Sequence, residues 1–310
     1  MSNQNGKLLD TIDARTKLAG SNKMEILLFS LGSDEIFGIN VFKVREVSQT
    51  PMITKTPNMP LGVEGVISLR GNIIPVIGLA SFLNVDTPEE GWPTMIVTEY
   101  SRRTQAFLVK DVDRIIRVDW DQVKPPESML SGNDAMITAI TELPDGKLVS
   151  ILDVEQILAS ATGEPITPDL PAIDSNGELT IFFVDDSAVA RKEIIGVLDK
   201  LGVKYQQANN GLEAWDRLQN MASRAQVDDV PLSQQLKLIL VDAEMPEMDG
   251  YVLTRNIKSD PRFEGIPVVM HSSLSSEANK TMGQRVGVDA YVAKFDAIQL
   301  ADTLRPLLLR

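Results

Sequence analysis

The second half of the chain alternates short apolar runs with helical segments, and this order restricts the fold more than any other feature. From residue 179 the runs "LTIFFVDD", "VKYQQANN", "LKLILVDAEMP", "IPVVMHSS" and "DAYVAKFD" are each followed by a segment of helical periodicity. Strands that alternate with helices form a parallel sheet covered by helices on both faces. Residues 179–310 are therefore predicted to be an α/β domain with a five-stranded, doubly wound parallel sheet.

The first half is predicted to be all-β. Residues 24–160 contain Val- and Ile-rich runs separated at short intervals by Gly, Pro, Asn and Asp, which is typical of small barrels or sandwiches. Within them, "SLRGNIIPV" predicts a hairpin with Gly71-Asn72 as its turn. Residues 1–23 are a candidate helical segment. Residues 161–178 contain three prolines and two glycines and are predicted to be an interdomain linker.

Composition excludes several classes of protein. The net charge of −13 disfavours nucleic acid as a partner, because an acidic chain repels a phosphate backbone. The absence of cysteine excludes disulfides and thiolate chemistry, and the single histidine, His271, disfavours His-rich metal sites and Ser-His-Asp hydrolases. No apolar leader and no run of membrane-spanning length is found, so we expect a soluble, cytoplasmic protein without direct membrane insertion.

Charged and hydroxyl side chains occur where the predicted parallel strands end. Asp185 and Asp186 follow the first strand, Asp242 the third, Ser272 the fourth, and Lys294 lies near the end of the fifth. Sites form at the carboxyl ends of such strands, and three carboxylates there repel each other unless a cation neutralises them. Oxygen ligands favour Mg²⁺. The residues predict an Mg²⁺-dependent site in which Asp242 attacks a phosphoryl group, stabilised by the metal and Lys294, with Ser272 as hydrogen-bond donor.

Two neighbouring polar residues are assigned structural roles. Asp249 lies beyond a Met-Pro turn and is expected to cap the helix that begins near Tyr251. His271 continues the apolar run "IPVVM" and is interpreted as a strand-end residue, not as a base.

The segment "SRAQVDDVPLSQQ", before the third strand, is interpreted as a surface loop insertion.

Residues 179–310 resemble the response-regulator receiver domain. The motifs "FFVDDSAVARKEI", "VDAEMPEMDGYVL", "PVVMHSS" and "AYVAKF" carry the resemblance. It implies a phosphoacceptor at Asp242, Mg²⁺ ligands at Asp185, Asp186, Asp242 and the backbone carbonyl of Glu244, a switch hydroxyl at Ser272, a phosphate-binding Lys294 and an aromatic switch at Tyr291. From the residues alone, Tyr291 is also consistent with an aromatic packed in a strand.

One position departs from the receiver pattern. The family usually has Lys-Pro with a cis peptide bond where this chain has Lys294-Phe295. A cis bond before a residue other than proline costs about 2.5–4 kcal/mol. We therefore expect either a trans bond with a different loop or a strained cis bond.

Residues 24–160 resemble the CheW-like coupling domain. The stretch "GVEGVISLRGNIIPVIGLASFL" carries the resemblance, with "KVREV" before it and "LVSILDVEQIL" after it. The family implies two small five-stranded β-barrels with a hydrophobic core between them, and binding to chemoreceptor tips and to the histidine kinase CheA. Ser68 stands where asparagine is more common. Arg70 is expected to contact a partner or position an interface, although an arginine exposed in a turn has the same local sequence.

A CheW-like domain followed by a receiver resembles chemotaxis coupling proteins of the CheV type. This order implies a regulatory signalling adaptor and not an enzyme. It would link methyl-accepting chemoreceptors to CheA at membrane-bound arrays, with phosphorylation of Asp242 modulating coupling or adaptation. Two alternatives remain open: a phosphate sink for CheA, and an Mg²⁺-dependent phosphatase with an Asp nucleophile. The second would lack the usual D-x-D acid, since Glu244 occupies that position in "DAE".

Overall fold

The chain folds into two compact units, which are described separately. A computed structural model describes residues 23–88, 91–100, 103–124, 136–163, 167–174, 178–273 and 277–309. The described residues up to 163 belong to the first unit and those from 167 onward to the second. The predicted N-terminal helical segment lies outside the described residues, except that Lys23 begins the first strand. Across the described ranges, no helix combines the length and the apolar character that crossing a membrane requires.

The described residues of the first unit form ten strands in two five-stranded sheets, with the orders β8-β1-β2-β10-β9 and β3-β6-β7-β5-β4. The strands are β1 Lys23–Ser30, β2 Ile36–Asn40, β3 Val44–Gln49, β4 Val63–Leu69, β5 Asn72–Gly78, β6 Thr94–Tyr100, β7 Arg103–Val109, β8 Asp111–Asp119, β9 Ile137–Glu142 and β10 Leu148–Leu152; the helices are α1 Leu79–Leu83 and α2 Val154–Thr162. Short 3-10 helices span Val41–Lys43 and Trp120–Gln122.

The main core of this unit is formed jointly by its two sheets. Leu27 and Phe37 from the first sheet belong to the same buried cluster as Ile96 and Phe107 from the second, and Ile157 of α2 joins them. Alternation along each strand turns these side chains to one face. The predicted all-β fold, with two five-stranded elements and a core between them, is confirmed.

The predicted hairpin is present, but its turn lies one residue earlier than expected. Strands β4 and β5 pair in antiparallel fashion with Leu69 opposite Asn72, so the two-residue loop is Arg70-Gly71 and not Gly71-Asn72. Both loop residues have positive φ, 49° and 85°. A two-residue loop of this kind matches the right-handed twist of the flanking strands, whereas Asn72 is already part of the ladder.

The second unit is a parallel sheet in the order β12-β11-β13-β14-β15, with helices on both faces. The strands are β11 Thr180–Val184, β12 Lys204–Ala208, β13 Leu238–Asp242, β14 Val268–Ser272 and β15 Ala290–Ala293; the helices are α3 Ala188–Leu201, α4 Gly211–Val227, α5 Leu232–Gln235, α6 Gly250–Ser259, α7 Glu277–Val286 and α8 Ala297–Leu308, with a 3-10 turn at Pro261–Phe263. One buried cluster contains residues of α3 and α8 and another contains residues of α4 and α6. The predicted doubly wound α/β fold is confirmed.

The segment interpreted as a loop insertion is mostly helical. Helix α4 continues through its first half to Val227, and α5 occupies its end. Between them Asp229 adopts a left-handed φ of 52°, which turns the chain. Ala222 and Ala225 on the buried side of α4 extend the apolar face of this helix, and this packing explains why the helix continues past the polar residues.

Part of the predicted linker is packed on the second unit. Residues 167–174 cross its surface, with Leu170 and Ile173 against the buried cluster under α3 and α8. The N–H of Ile173 donates to the carbonyl of the last residue of α3 at 2.9 Å. The guanidinium of Arg305, in α8, donates to the carbonyl of Pro171. We call residues 167–174 the strap.

Candidate functional site

The carboxyl ends of four parallel strands bring the predicted site residues together. Asp185 follows the last residue of β11, Asp242 is the last residue of β13, Ser272 is the last of β14, and Lys294 follows the last of β15. The parallel registers align these strand ends at one edge of the sheet. This is the edge at which doubly wound sheets form their sites.

Lys294 joins two of the acidic residues at this edge. Its Nζ lies 2.9 Å from Oδ2 of Asp185 and 3.0 Å from Oδ2 of Asp242, and its side chain is buried. The Lys294–Phe295 peptide bond is trans, and Phe295 has a left-handed φ of 61°. The sequence left open a trans or a strained cis bond at Lys294-Phe295, where the receiver family usually has Lys-Pro, and the structure shows the trans bond. Lys294 nevertheless reaches both carboxylates.

Three aspartates form a cluster with the chemistry of a metal site. One oxygen from each of Asp185, Asp186 and Asp242 lies within 4.8 Å of the other two. Burial by itself would raise the pKa of Asp185, but the ammonium of Lys294 and the imidazole of His271 outweigh it and lower that pKa to about 2. Three carboxylates face one lysine, and this excess of hard oxygen ligands fits a divalent cation such as Mg²⁺.

The beginning of α3 fixes the first two aspartates. The N–H of Ser187 donates to Oδ1 of Asp185 at 3.0 Å, and the hydroxyl of Ser187 accepts from the N–H of Ala190 as the helix cap. Arg191, one turn into the helix, donates from Nη1 to the carbonyls of Asp185 and Asp186 at 2.9 and 3.0 Å. Residues at the beginning of α3 therefore fix both the side chain of Asp185 and the backbone of Asp185 and Asp186.

The loop after β13 is closely packed against Asp242. The N–H of Glu244 approaches Oδ1 of Asp242 at 3.4 Å. Asp249 accepts the N–H of Val252 at 2.7 Å, which confirms its predicted role as the cap of α6. At Gly250 an added Cβ would lie 1.9 Å from the carbonyl oxygen of Asp242. Sequence reasoning missed this close approach, for which the glycine in "MDG" was the available signal.

Ser272 and Tyr291 interact with each other through their hydroxyl groups. The hydroxyl of Tyr291 is engaged by Ser272 and lies beside Tyr251. Tyr251 and Tyr291 pack in one apolar cluster with Met270. Burial is the main cause that raises the pKa of both tyrosines, so both hydroxyls remain protonated at neutral pH.

His271 lies at the site, which the sequence did not indicate. Its position in β14 confirms the interpretation as a strand-end residue. Its Nδ1 lies 3.9 Å from Oδ2 of Asp185, and both side chains are buried. The apolar run before His271 does not show which residue of a neighbouring strand the His271 side chain approaches. The only signal in the sequence was a polar residue within an apolar run.

Arg70 lies in the first unit, where it pairs with Glu46 of β3. The Arg70 side chain is 67% exposed and that of Glu46 is 13% exposed, so the pair sits at the surface with one partner largely covered. Arginine at a left-handed φ costs on the order of 1–3 kcal/mol, which glycine at the same turn position would avoid.

Comparison with known families identifies both units in the predicted order. The CheW-like domain matches residues 25–162, and the response regulator receiver domain matches residues 181–305. Together the two matches account for both folds described above.

Similar proteins match either most of the chain or one of its two units. Chemotaxis protein CheV3 of Helicobacter pylori is 34% identical over 278 residues, covering 88% of this chain and 88% of the relative. Chemotaxis protein CheV2 of the same organism is 26% identical, covering 96% of this chain and 98% of the relative. Chemotaxis protein CheW of Klebsiella aerogenes is 30% identical over 47% of this chain and 88% of the relative. Because the similarity to CheV3 extends through both domains, the predicted resemblance is confirmed and the chain belongs to the CheV family of chemotaxis proteins.

Proposed function

We propose that the chain is a chemotaxis coupling adaptor whose CheW-like domain binds chemoreceptors and the kinase CheA, and whose receiver is phosphorylated on Asp242. The observation that carries the proposal is the position of Lys294, within 3.0 Å of the carboxylates of both Asp185 and Asp242 at the sheet edge. A cation so placed neutralises an incoming phosphoryl group next to its acceptor. The tethered CheW-like domain would keep this chemistry at the receptor–kinase array.

The chemical step is a transfer between two nucleophiles. A carboxylate oxygen of Asp242 attacks phosphorus, the phosphorus–nitrogen bond of the kinase phosphohistidine breaks, and the departing imidazole nitrogen keeps the electron pair and takes a proton from water. Lys294 stabilises the negative charge on the transferring oxygens. Mg²⁺ held by Asp185, Asp186, Asp242 and the carbonyl of Glu244 would supply further charge neutralisation when bound.

The proposed response is a change of partner at Tyr291. Ser272 would turn to hydrogen-bond the phosphoryl oxygens and release the hydroxyl of Tyr291. The ring of Tyr291 lies beside Gly283 of α7. We propose that Tyr291 rearranges locally against Tyr251 and alters the surface formed by α7, β15 and α8.

The proposed partner surface includes the β4–β5 hairpin. Arg70 at the tip of this hairpin forms an ion pair with Glu46. Two large apolar side chains of the same unit are exposed: Ile73 on β5 is 77% exposed, and Met52, in the segment between β3 and β4, is 91% exposed. Large apolar side chains that remain exposed in one region and are rimmed by polar residues are typical of protein-binding surfaces. We propose that receptors or CheA cover this region.

The decisive experiment is phosphotransfer from phosphorylated CheA in the presence of Mg²⁺. The wild-type chain should be labelled and Asp242→Asn should not. Asp249→Asn is the matched control, because asparagine can also cap a helix and this variant should be labelled at the wild-type rate. Labelling of Asp242→Asn at the wild-type rate would contradict the proposal. If Asp242→Asn instead abolishes labelling but leaves the receptor response of a reconstituted array unchanged, the receiver acts as a phosphate sink.

A further inference from the structure

The single histidine of the chain lies beside the receiver site and has no role in the chemistry proposed above. His271 is 1% exposed, and its Nδ1 is 3.9 Å from Oδ2 of Asp185, whose side chain is also fully buried. A polar ring at such a depth needs a polar partner, because burying an unpaired polar group is unfavourable. One charged group within 4 Å of the ring is Asp185, a proposed metal ligand.

The strand register explains why the two side chains meet. Side chains two residues apart on a strand share a face, so His271 lies on the same face of the sheet as Val269. Val269 belongs to the buried cluster under α3 and α8, as does Phe183, which precedes Asp185 by two residues. His271 and Asp185 are therefore the polar ends of two apolar rows on one face.

Asp185 contacts Ser187, Lys294 and His271. Phosphorylation of Asp242 would affect these three contacts differently. Its Oδ1 accepts the N–H of Ser187 at 3.0 Å, a contact within its own loop. Its Oδ2 shares the ammonium of Lys294 with Asp242. A phosphoryl group on Asp242 would attract Lys294 away from Asp185, whereas His271 is fixed in β14 and would stay.

We propose that His271 is a positioning residue, whose Nδ1 faces the carboxylate of Asp185 at electrostatic range and helps this ligand keep its orientation when Lys294 turns to the phosphoryl group. The inference rests on the proposed function, since it assigns Asp185 to the metal. The lowering of the Asp185 pKa by His271 is consistent with such a contact. Removing an outer partner of a metal ligand typically weakens metal binding about 10–100-fold.

The test compares three variants of the full chain by calorimetric titration with Mg²⁺. His271→Leu removes the donor and should raise the Kd by about tenfold or more. His271→Asn keeps a side-chain N–H where Nδ1 was and should recover most of the affinity. Met270→Leu, on the same strand but the opposite face, should bind as the wild type does. Equal Kd values for all four proteins would overturn the proposal, as would equal losses in the leucine and asparagine variants.

A second measurement needs no metal and separates this proposal from the function on which it rests. Nitrogen-15 labelling of histidine at the δ1 position gives one imidazole resonance, because the chain has a single histidine. Asp185→Asn should shift that resonance, and Asp249→Asn should not. If Asp242 is phosphorylated normally but Asp185→Asn leaves the resonance unchanged, the adaptor function stands and the role of His271 is rejected. If Asp185→Asn shifts the resonance but the wild-type chain is not phosphorylated by CheA, the contact between His271 and Asp185 stands and the proposed function fails.

Discussion

Replacement of Gly250 by alanine should destabilise the receiver and misplace Asp242. An added Cβ would lie 1.9 Å from the carbonyl oxygen of Asp242, 2.9 Å from its carbonyl carbon and 3.0 Å from Cα of Ala243. All three atoms belong to the backbone between β13 and the following loop. No flexible side chain can move aside, so either the first turn of α6 or the end of β13 must shift.

Two effects of opposite sign decide the magnitude. Alanine in a helix is worth about 0.5–1 kcal/mol over glycine, which favours the variant. Forcing an extra methyl group into a packed site costs about 1–3 kcal/mol, and backbone neighbours place Gly250→Ala at the upper end of this range. We expect a net loss of about 2–2.5 kcal/mol. In Gly283→Ala the nearest atom, Cδ2 of Tyr291, is at 3.5 Å, an ordinary contact, so the same substitution there should gain about 0.5–1 kcal/mol.

Hydrogen exchange during urea denaturation of the full chain measures the difference in unfolding free energy between Gly250→Ala and Gly283→Ala. Peptides of the receiver are resolved from those of the CheW-like domain in this experiment. Phosphotransfer to Gly250→Ala should also slow, since a displacement of about 1 Å at a reacting group can cost about 100-fold in rate. A Gly250→Ala protein that is as stable as Gly283→Ala would refute the reasoning, because it would show that the carbonyl of Asp242 does not occupy the space beside α6.

Three other perturbations have defined outcomes. Excess chelator should abolish phosphotransfer, and titration calorimetry should show that Asp186→Ala weakens Mg²⁺ binding far more than Asp249→Ala does, because only Asp186 belongs to the carboxylate cluster. Arg70→Glu should reduce co-sedimentation with receptor and kinase by placing two acids together, and the added change Glu46→Arg should restore part of it if the pair itself matters. Thermal unfolding should change little, since the substituted Arg70 side chain is 67% exposed. Ile173→Asp should accelerate amide exchange across the strap, since it replaces an apolar side chain packed on the core; unchanged exchange would show that this packing does not hold the strap.

The sequence predicts the strand ends of the receiver well, for a physical reason. Buried parallel strands appear as continuous apolar runs, so the first charged residue after each run marks the edge of the sheet. Asp185, Asp242 and Lys294 were located in this way, and the fold then brings them within hydrogen-bonding distance. A one-dimensional signal was sufficient because every strand end of a parallel sheet lies on the same side.

Other features depend on information that a local pattern does not contain. The contact of His271 with Asp185 depends on which face of the sheet each strand end presents. The turn at Arg70-Gly71 differs by one residue from the prediction because either glycine-containing pair is a plausible turn, and only the β4–β5 register selects one. The strap is proline-rich and resembles a flexible tether, yet Leu170 and Ile173 pack it on the receiver core, and hydrogen bonds from Ile173 and Arg305 add to this packing.

The alternation of side chains along β14 separates the proposed chemistry from the proposed response. His271 and Ser272 are consecutive, so they lie on opposite faces of the sheet. The face of His271 carries Asp185, which also contacts Lys294. The face of Ser272 carries the tyrosine pair and borders α6 and α7. A rearrangement of one tyrosine can therefore change an outer surface without moving the buried lysine. Variants of His271 should consequently alter metal binding and phosphorylation, whereas variants of the tyrosine pair should alter only the response to phosphorylation.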